Sequence, residues 1–251
     1  MEKIIELEFR DVFKHFAGSP HPTLNKLNLS CEKGKIHVLI GHSGAGKSVT
    51  LKHALKLVDP DGGQIFVKGE DIGQIKESGL NGLRSHFGML FQNSALFDGL
   101  SVSENISFPM REKFPKLLES EYLNRVDELL ASVGLDGQQD KMPSQLSGGM
   151  RKRVGLARAI CLKPSILLFD EPTTGLDPQT ADLIDRLIVQ TSRNLGATSL
   201  IISHDVHAAL RFGDFVSMIW EGKIIETGSP DEIRRSANPV VHQFLKSAGA
   251  L

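Results

Sequence analysis

A glycine-rich loop between an apolar strand and an amphipathic helix constrains this chain more than any other feature. Residues Gly41–Ser48 have the sequence Gly-His-Ser-Gly-Ala-Gly-Lys-Ser and follow the apolar run Ile36–Ile40. Beyond the loop, Lys47–Val58 carries apolar residues at helical spacing. Glycines in this setting let backbone N–H groups converge on an anion at a helix N-terminus. We therefore predict a phosphate-binding loop in an α/β fold.

Two side chains of the loop have predicted chemical roles. Lys47 would neutralise the β- and γ-phosphates as a point charge, and the Ser48 hydroxyl would ligate Mg²⁺. A chance glycine-rich turn is the alternative, but it does not explain the strand and helix on either side. His42 occupies a variable position where only the main chain is needed, so it receives no proton chemistry. The predicted nucleotide-binding residues are Gly41, His42, Ser43, Gly44, Ala45, Gly46, Lys47, Ser48 and Val49.

Other apolar runs extend the fold prediction. Phe87–Phe91, Ile166–Phe169 and Ser199–Ile202 are typical of parallel strands that are covered on both faces. Strand-like segments at about 2–30 and 62–72 indicate an antiparallel sheet, and about 93–142 is helical in pattern. We expect one domain over 1–251. Its core, at 1–92 and 155–251, includes the antiparallel β subdomain, and the helical subdomain spans about 93–154.

Composition excludes several classes of protein. With 29 basic and 30 acidic residues, the chain has no basic field to hold nucleic acid, so we expect no nucleic-acid partner. Cys31 and Cys161 lie in or beside apolar segments and are expected to be reduced, buried thiols. The N-terminus lacks the pattern of a secretion signal, and no apolar run approaches the length of a membrane span. We expect a soluble chain on the cytoplasmic side.

Two adjacent carboxylates, Asp170 and Glu171, follow the apolar run Ile166–Phe169 directly. Ligands of α/β sheets bind at the carboxyl ends of such strands. Asp170 could be compensated by Mg²⁺ through water, and Glu171 could polarise the water that attacks a γ-phosphate. A solvated acidic turn is the alternative, but it leaves the buried strand unexplained.

A third motif, Ser147-Gly148-Gly149, precedes a helical pattern. A helix N-terminus without bulky side chains binds anions well, although an ordinary N-cap with its preceding turn would look the same. The basic residues that follow, Arg151, Lys152 and Arg153, lie off the apolar face of the helix. We predict that they form a solvated surface.

These motifs, in this order, resemble ABC transporter ATPases over essentially the full length of the chain. Gly41–Ser48 resembles the Walker A loop, Leu146–Met150 the signature motif and Ile166–Asp170 the Walker B strand. The resemblance also implies roles for single residues. These are Phe16 stacking on adenine, Gln92 in the Q-loop as γ-phosphate sensor and Mg²⁺ ligand, Glu171 as catalytic glutamate, Gly175-Leu176-Asp177 as the D-loop and His204 as the switch histidine.

The resemblance further implies partners. ATP with Mg²⁺, ligated by Ser48, Gln92 and Asp170, would lie between the Walker A loop of one chain and Ser147, Gly148 and Gly149 of a second copy. The homodimer would form on ATP binding and would drive a membrane permease from the cytoplasmic face of the inner membrane. Met150 stands where the signature usually has glutamine, which puts a side-chain contact there in doubt.

Met150, the segment Met89–Asp98 and Phe108–Glu112 resemble the Mla/Mce branch of this family. That branch implies phospholipid transport with Mce-domain and accessory subunits; import of a polar amino acid or another small solute is the alternative. ABC proteins of DNA repair or translation usually carry two cassettes or a long coiled-coil insertion, and this chain shows neither. A regulatory protein without catalysis would not need Lys47, Asp170, Glu171 and His204, and a small-molecule kinase would not need Ser-Gly-Gly.

Overall fold

The computed structural model describes residues 3–251. The chain forms two compact units, a first unit of Met1–His86 with Gly196–Leu251 and a second unit of Phe87–Leu195. The strands are β1 (Ile5–Lys14), β2 (Leu24–Glu32), β3 (Ile36–Ile40), β4 (Gly62–Val67), β5 (Glu70–Asp71), β6 (Phe87–Leu90), β7 (Ile166–Asp170), β8 (Thr198–Ile202), β9 (Phe215–Trp220) and β10 (Lys223–Gly228). The helices are α1 (Lys47–Ala54), α2 (Leu80–Arg84), α3 (Val102–Lys113), α4 (Glu119–Ser132), α5 (Gly148–Ile160), α6 (Pro178–Leu195), α7 (Val206–Phe212), α8 (Pro230–Arg234) and α9 (Pro239–Ser247).

An antiparallel sheet in the order β2-β1-β4-β5 forms part of the first unit. Leu7 and Phe9 of β1 are buried, and Phe9 pairs with Leu29 of β2 and Ile65 of β4. Side chains of a strand alternate between the two faces of a sheet, so these apolar residues cover one face. The predicted antiparallel subdomain is confirmed.

The second sheet of the first unit contains β10-β9-β3-β8. Strand β3 is buried along its whole length and runs parallel to both β8 and β9, with Val38 paired to Ile201 and Val216. A parallel strand covered on both faces needs a nearly continuous apolar run, and β3 has one that only His37 interrupts. The phosphate loop therefore begins at the end of a strand that packing holds on every side.

The second unit combines the parallel pair β6 and β7 with helices α3, α4, α5 and α6. Helix α3 begins with a capping box in which Ser101 accepts from the Glu104 N–H and Glu104 accepts from the Ser101 N–H. Helix α4 ends just before Gly134, whose φ of 64° suits a helix stop. The α/β fold class is confirmed, and the predicted division at about 93–154 stays a prediction.

One helix is shorter than predicted. Helix α1 ends at Ala54 rather than Val58, since Lys56 adopts φ 48° and the chain leaves the helix there. The Lys56 N–H donates to the His53 carbonyl and the Leu57 N–H to the Lys52 carbonyl. This pair of bonds is the Schellman ending, usually built on glycine at the position that Lys56 occupies. No helix within residues 3–251 has the length and apolar character needed to cross a bilayer.

Candidate functional site

The phosphate loop in the first unit wraps around its own lysine. Lys47 is only 6% exposed. Its Nζ donates to the Gly41 carbonyl at 2.8 Å and to the His42 carbonyl at 3.0 Å. Residues 42–44 are exposed at the start of the loop. The ammonium is therefore held inside a turn whose outer backbone is accessible to an anion.

Gly46 shows why this loop requires glycine. It precedes α1 with φ 106°, a conformation that disfavours any residue with a Cβ. A Cβ at this position would lie 2.7 Å from the Thr23 carbonyl oxygen and 2.9 Å from Leu24 Cδ2. Neither the backbone angle nor the available space admits a side chain.

The exposed side of the loop carries an aromatic contact. The His42 ring lies edge-on to Trp220, at the end of β9, with 4.7 Å between ring centroids. His42 Nδ1 lies 2.7 Å from the Ser43 carbonyl oxygen. Phe16 lies in the same unit, with its side chain 38% exposed and Lys14 Nζ 5.4 Å from the ring centroid. An exposed aromatic face suits a stacking platform.

The carboxylate pair lies in the second unit, at the end of β7. Glu171 adopts φ 46°, which is rare for a residue other than glycine and is found most often at functional positions. Its Oε2 accepts from Thr174 Oγ1 at 3.1 Å and lies 3.5 Å from Gln92 Nε2, the long limit of a hydrogen bond. Glu171, the predicted catalytic glutamate, and Gln92, the predicted γ-phosphate sensor, are thus neighbours.

Ser147, Gly148 and Gly149 open helix α5. Ser147 is the N-cap and accepts from the Met150 N–H at 3.2 Å, while its side chain remains exposed. Gly149 is buried, and a Cβ there would lie 2.4 Å from Thr180 Cγ2 at the start of α6. The motif is therefore an N-cap, as one interpretation expected, and its anion-binding role stays a prediction.

The prediction that Arg151, Lys152 and Arg153 form a solvated surface is wrong for Lys152. Arg151 is exposed and Arg153 is half-buried, but Lys152 is only 5% exposed, and its Nζ donates to the Gln92 carbonyl. Burial lowers the pKa of Lys152 to about 8, although Asp170 and Glu171 act to raise it. Val154–Ala157 is uninterrupted in its apolar and small residues. That run predicts a helix buried on most sides, and it is the sequence feature that could have indicated that Lys152 is buried.

Comparisons with known proteins decide the family. The sequence profile described as "ABC transporter" matches residues 24–174. The chain belongs to the ABC transporter family. Methionine import ATP-binding protein MetN 1 of Pseudomonas putida is 42% identical over 96% of this chain and 72% of that protein. The probable ribonucleotide transport ATP-binding protein mkl of Mycobacterium bovis is 39% identical over 96% of this chain and 66% of that protein.

Solved ABC structures agree with the fold. The dimeric post-hydrolysis state of the ATP-binding cassette MJ0796 bound to ADP and Pi has a TM-score of 0.82 and 27% identity, covering 89% of this chain and 98% of that one. CbiO1 from Clostridium perfringens has a TM-score of 0.82 and 28% identity, covering 97% of this chain and 99% of that one. The chain is an ATP-hydrolysing ABC transporter subunit.

The residues of this ABC protein fit the ligands of its family. The enclosed Lys47 ammonium and the exposed backbone of 42–44 suit a polyphosphate, and the close packing of Gly46 against Thr23 and Leu24 requires glycine at that position of the loop. Ser48 of the first unit carries a hydroxyl, and Gln92 and Asp170 of the second unit carry amide and carboxylate oxygens; oxygens of these kinds are the hard ligands that Mg²⁺ prefers.

The remaining predicted groups have clear positions. His204 follows β8 on an exposed turn just before Asp205, the N-cap of α7. Asp177 accepts from the N–H groups of Gln179 and Thr180, and hydrogen bonding to Thr180 holds the pKa of its carboxyl below the usual range. Cys31 and Cys161 are free and buried, as expected. Burial raises the pKa of the Cys161 thiol to about 12.

Proposed function

We propose that the chain hydrolyses ATP with Glu171 as the group that polarises the attacking water. Its carboxylate is aligned by Thr174 and lies beside Gln92. An oriented carboxylate at the end of a buried strand can draw a proton from water as the oxygen attacks phosphorus. The unusual backbone angle of Glu171 supports this role, because strained conformations of this kind cluster at active sites.

The phosphate chain of ATP is assigned to Gly41–Ser48. Lys47 supplies a positive charge that packing keeps in place, and the backbone at 42–44 donates N–H groups. Mg²⁺, when bound, neutralises phosphate charge, and Ser48, Gln92 and Asp170 are the proposed ligands. Phe16 is proposed to stack on adenine and His204 to serve as the switch histidine; the exposure of both side chains supports these assignments.

We infer that ATP joins two copies of the chain. Ser147 presents an exposed hydroxyl at the N-terminus of α5, a helix of 13 residues whose end attracts anions. The similar cassette MJ0796 was solved as a dimer bound to ADP and Pi. Ser147, Gly148 and Gly149 would then contact the nucleotide held by the partner copy. The dimer would act on a membrane permease and be peripheral to the inner membrane.

For the cargo, we propose a small polar solute imported through that permease. The observation that carries this proposal is the 42% identity, over 96% of the chain, to a protein named for methionine import. A relative named for ribonucleotide transport is 39% identical. Methionine and ribonucleotides differ in chemistry, but both are small and polar. These names favour the small-solute alternative over the lipid assignment.

Lipid transport is the second candidate because particular residues favour it. Met150 replaces the usual signature glutamine, and Met89–Asp98 and Phe108–Glu112 resemble the Mla/Mce branch. Phe91, Phe97 and Phe108 of these segments are exposed at 38–46%. A phospholipid cargo would bring an Mce-domain subunit and accessory subunits as partners, whereas the two relatives described above are named for methionine import and for ribonucleotide transport.

Purification through a tag on this chain distinguishes the two cargoes. After mild detergent extraction, mass spectrometry of the associated proteins and lipids would identify the complex. Small-solute import predicts a permease without tightly bound phospholipid, and deletion of the gene should abolish uptake of one radiolabelled solute. An Mce-domain subunit with stoichiometric phospholipid would instead refute small-solute import. The ATPase assignment stands in either case.

A further inference from the structure

One face of helix α5 forms hydrogen bonds with the backbone of the Q-loop, the segment that contains Gln92 and Ser94. Lys152 Nζ donates to the Gln92 carbonyl, and Arg158 Nη2 donates to the Ser94 carbonyl at 2.7 Å. Between them, Gly155 allows close approach, since a Cβ there would lie 3.3 Å from Ser94 Cβ and 2.7 Å from Leu90 Cδ1. Residues three apart lie on the same side of a helix. These three positions therefore form one continuous contact with the loop.

The loop needs such support because its conformation is unfavourable by itself. Ser94 and Ala95 adopt φ of 61° and 47°, so two successive non-glycine residues are left-handed. Left-handed backbone is unfavourable for residues that carry a Cβ. Ser94 is also 2% exposed. External hydrogen bonds to the Gln92 and Ser94 carbonyls offset this cost and select one loop shape.

The Gln92 backbone determines where its side chain points. The same residue that accepts from Lys152 through its carbonyl places its Nε2 3.5 Å from Glu171 Oε2. A shift of the loop backbone would carry the amide away from the carboxylate. Lys152 hydrogen-bonds to the Gln92 carbonyl, and its charge also interacts directly with Asp170 and Glu171.

We propose that Lys152 is a positioning residue. Its hydrogen bond to the Gln92 carbonyl holds the Q-loop against helix α5 and so keeps the Gln92 side chain beside Glu171. The inference rests on the proposed catalytic roles of those two residues. Ser147 caps the same helix. Displacement of α5 by a nucleotide at its N-terminus would therefore be transmitted to Gln92 of the same chain, which couples the two ATP sites of a dimer.

Hydrogen exchange of the full chain without nucleotide tests this contact directly. In Lys152→Met, amides within residues 89–99 should exchange about tenfold faster, as expected on loss of a charge-assisted hydrogen bond. Lys152→Gln retains an N–H donor and should restore slow exchange to within about threefold of the wild type. Lys163→Met removes an exposed lysine from the same unit and is the matched control.

Kinetics of the same variants test the consequence for Gln92. In the assembled transporter complex, Lys152→Met should lower kcat for ATP about tenfold with little change in KM, and Lys152→Gln should recover most of the loss. Exchange in Lys152→Met equal to that of Lys163→Met would overturn the proposal. So would a folded Lys152→Gln that fails to slow exchange, which keeps the test decisive if the methionine variant unfolds. A wild-type chain that cannot bind ATP would refute the proposed function but leave the exchange result valid.

Discussion

At the scale of single residues, the role proposed for Glu171 can be tested most directly. Glu171→Gln preserves shape and the ability to hydrogen-bond with Thr174, but it removes the charge that polarises water. We expect ATP binding to persist and hydrolysis to fall by about 10² or more. Steady-state phosphate release by the assembled complex is the measurement. Turnover equal to that of the wild type would rule out Glu171 as the group that acts on water.

Lys47 should affect binding rather than chemistry. Lys47→Ala removes an ammonium held by the Gly41 and His42 carbonyls, so the loop loses both its shape and its charge. Nucleotide affinity measured by calorimetry should weaken by about tenfold or more. Lys52→Ala is the control, because Lys52 is exposed on the same helix α1. Tight binding by Lys47→Ala would contradict the role assigned to Gly41–Ser48.

At the scale of elements, the start of α5 is set by its contact with α6. In Gly149→Ala, the new methyl group would lie 2.4 Å from Thr180 Cγ2, and overpacking of this kind costs about 1–3 kcal/mol. The gain in helix propensity returns at most about 1 kcal/mol. Gly149→Ala should therefore lower Tm. Adding Thr180→Ser, which removes that methyl group but keeps the hydroxyl, should reverse the loss; if Tm stays low, the steric account fails.

Strand β3 contains a histidine that couples its stability to pH. His37 is 2% exposed, its Nε2 accepts from the Glu32 N–H, and burial lowers its pKa to about 4. In the unfolded chain His37 takes up a proton near pH 6.5, whereas in the folded protein its pKa is about 4. The folded state therefore keeps its full stability above pH 6.5 and loses stability as the pH falls from 6.5 toward 4. Between pH 6.5 and pH 4 this titration of His37 lowers the free energy of unfolding by about 3 kcal/mol.

His37→Gln tests that linkage, because the glutamine does not titrate. Urea unfolding between pH 7 and pH 4 should show a shallower loss of stability for His37→Gln than for the wild type. His21→Gln changes an exposed histidine of the same unit and should keep the wild-type slope. Equal slopes for His37→Gln and the wild type would show that His37 is not responsible.

Elements were predictable wherever local pattern and packing agree. The loop Gly41–Ser48 and the strand before it follow from the sequence because a buried parallel strand requires a mostly apolar run, which His37 alone interrupts here. The end of α1 did not follow, since Lys56 rather than glycine occupies the left-handed position. Lys152 was misplaced for a related reason. Lysine is rarely buried without a partner, and its partner, the Gln92 carbonyl, lies 60 residues away in sequence.

At the scale of the whole molecule, we expect the isolated chain to be mainly monomeric and nearly inactive, because the proposed nucleotide contacts come from two copies. Glu171→Gln with Mg-ATP should shift toward a dimer on sizing chromatography, since the nucleotide persists. Without nucleotide the same variant should elute as a monomer. A monomer that hydrolyses ATP at full rate, independent of protein concentration, would exclude the dimer.

Trp220 turns the phosphate loop into an optical reporter. It is the sole tryptophan of the chain, and the ring of His42 lies 4.7 Å from it. Indole emission responds to the polarity and charge of its immediate neighbours, so a movement of His42 relative to Trp220 changes the emission and can be followed without a dye. Because no second indole contributes background, ordinary ultraviolet fluorescence can follow occupancy of Gly41–Ser48 in real time. The same measurement is possible in the assembled complex if the tryptophans of the permease are substituted.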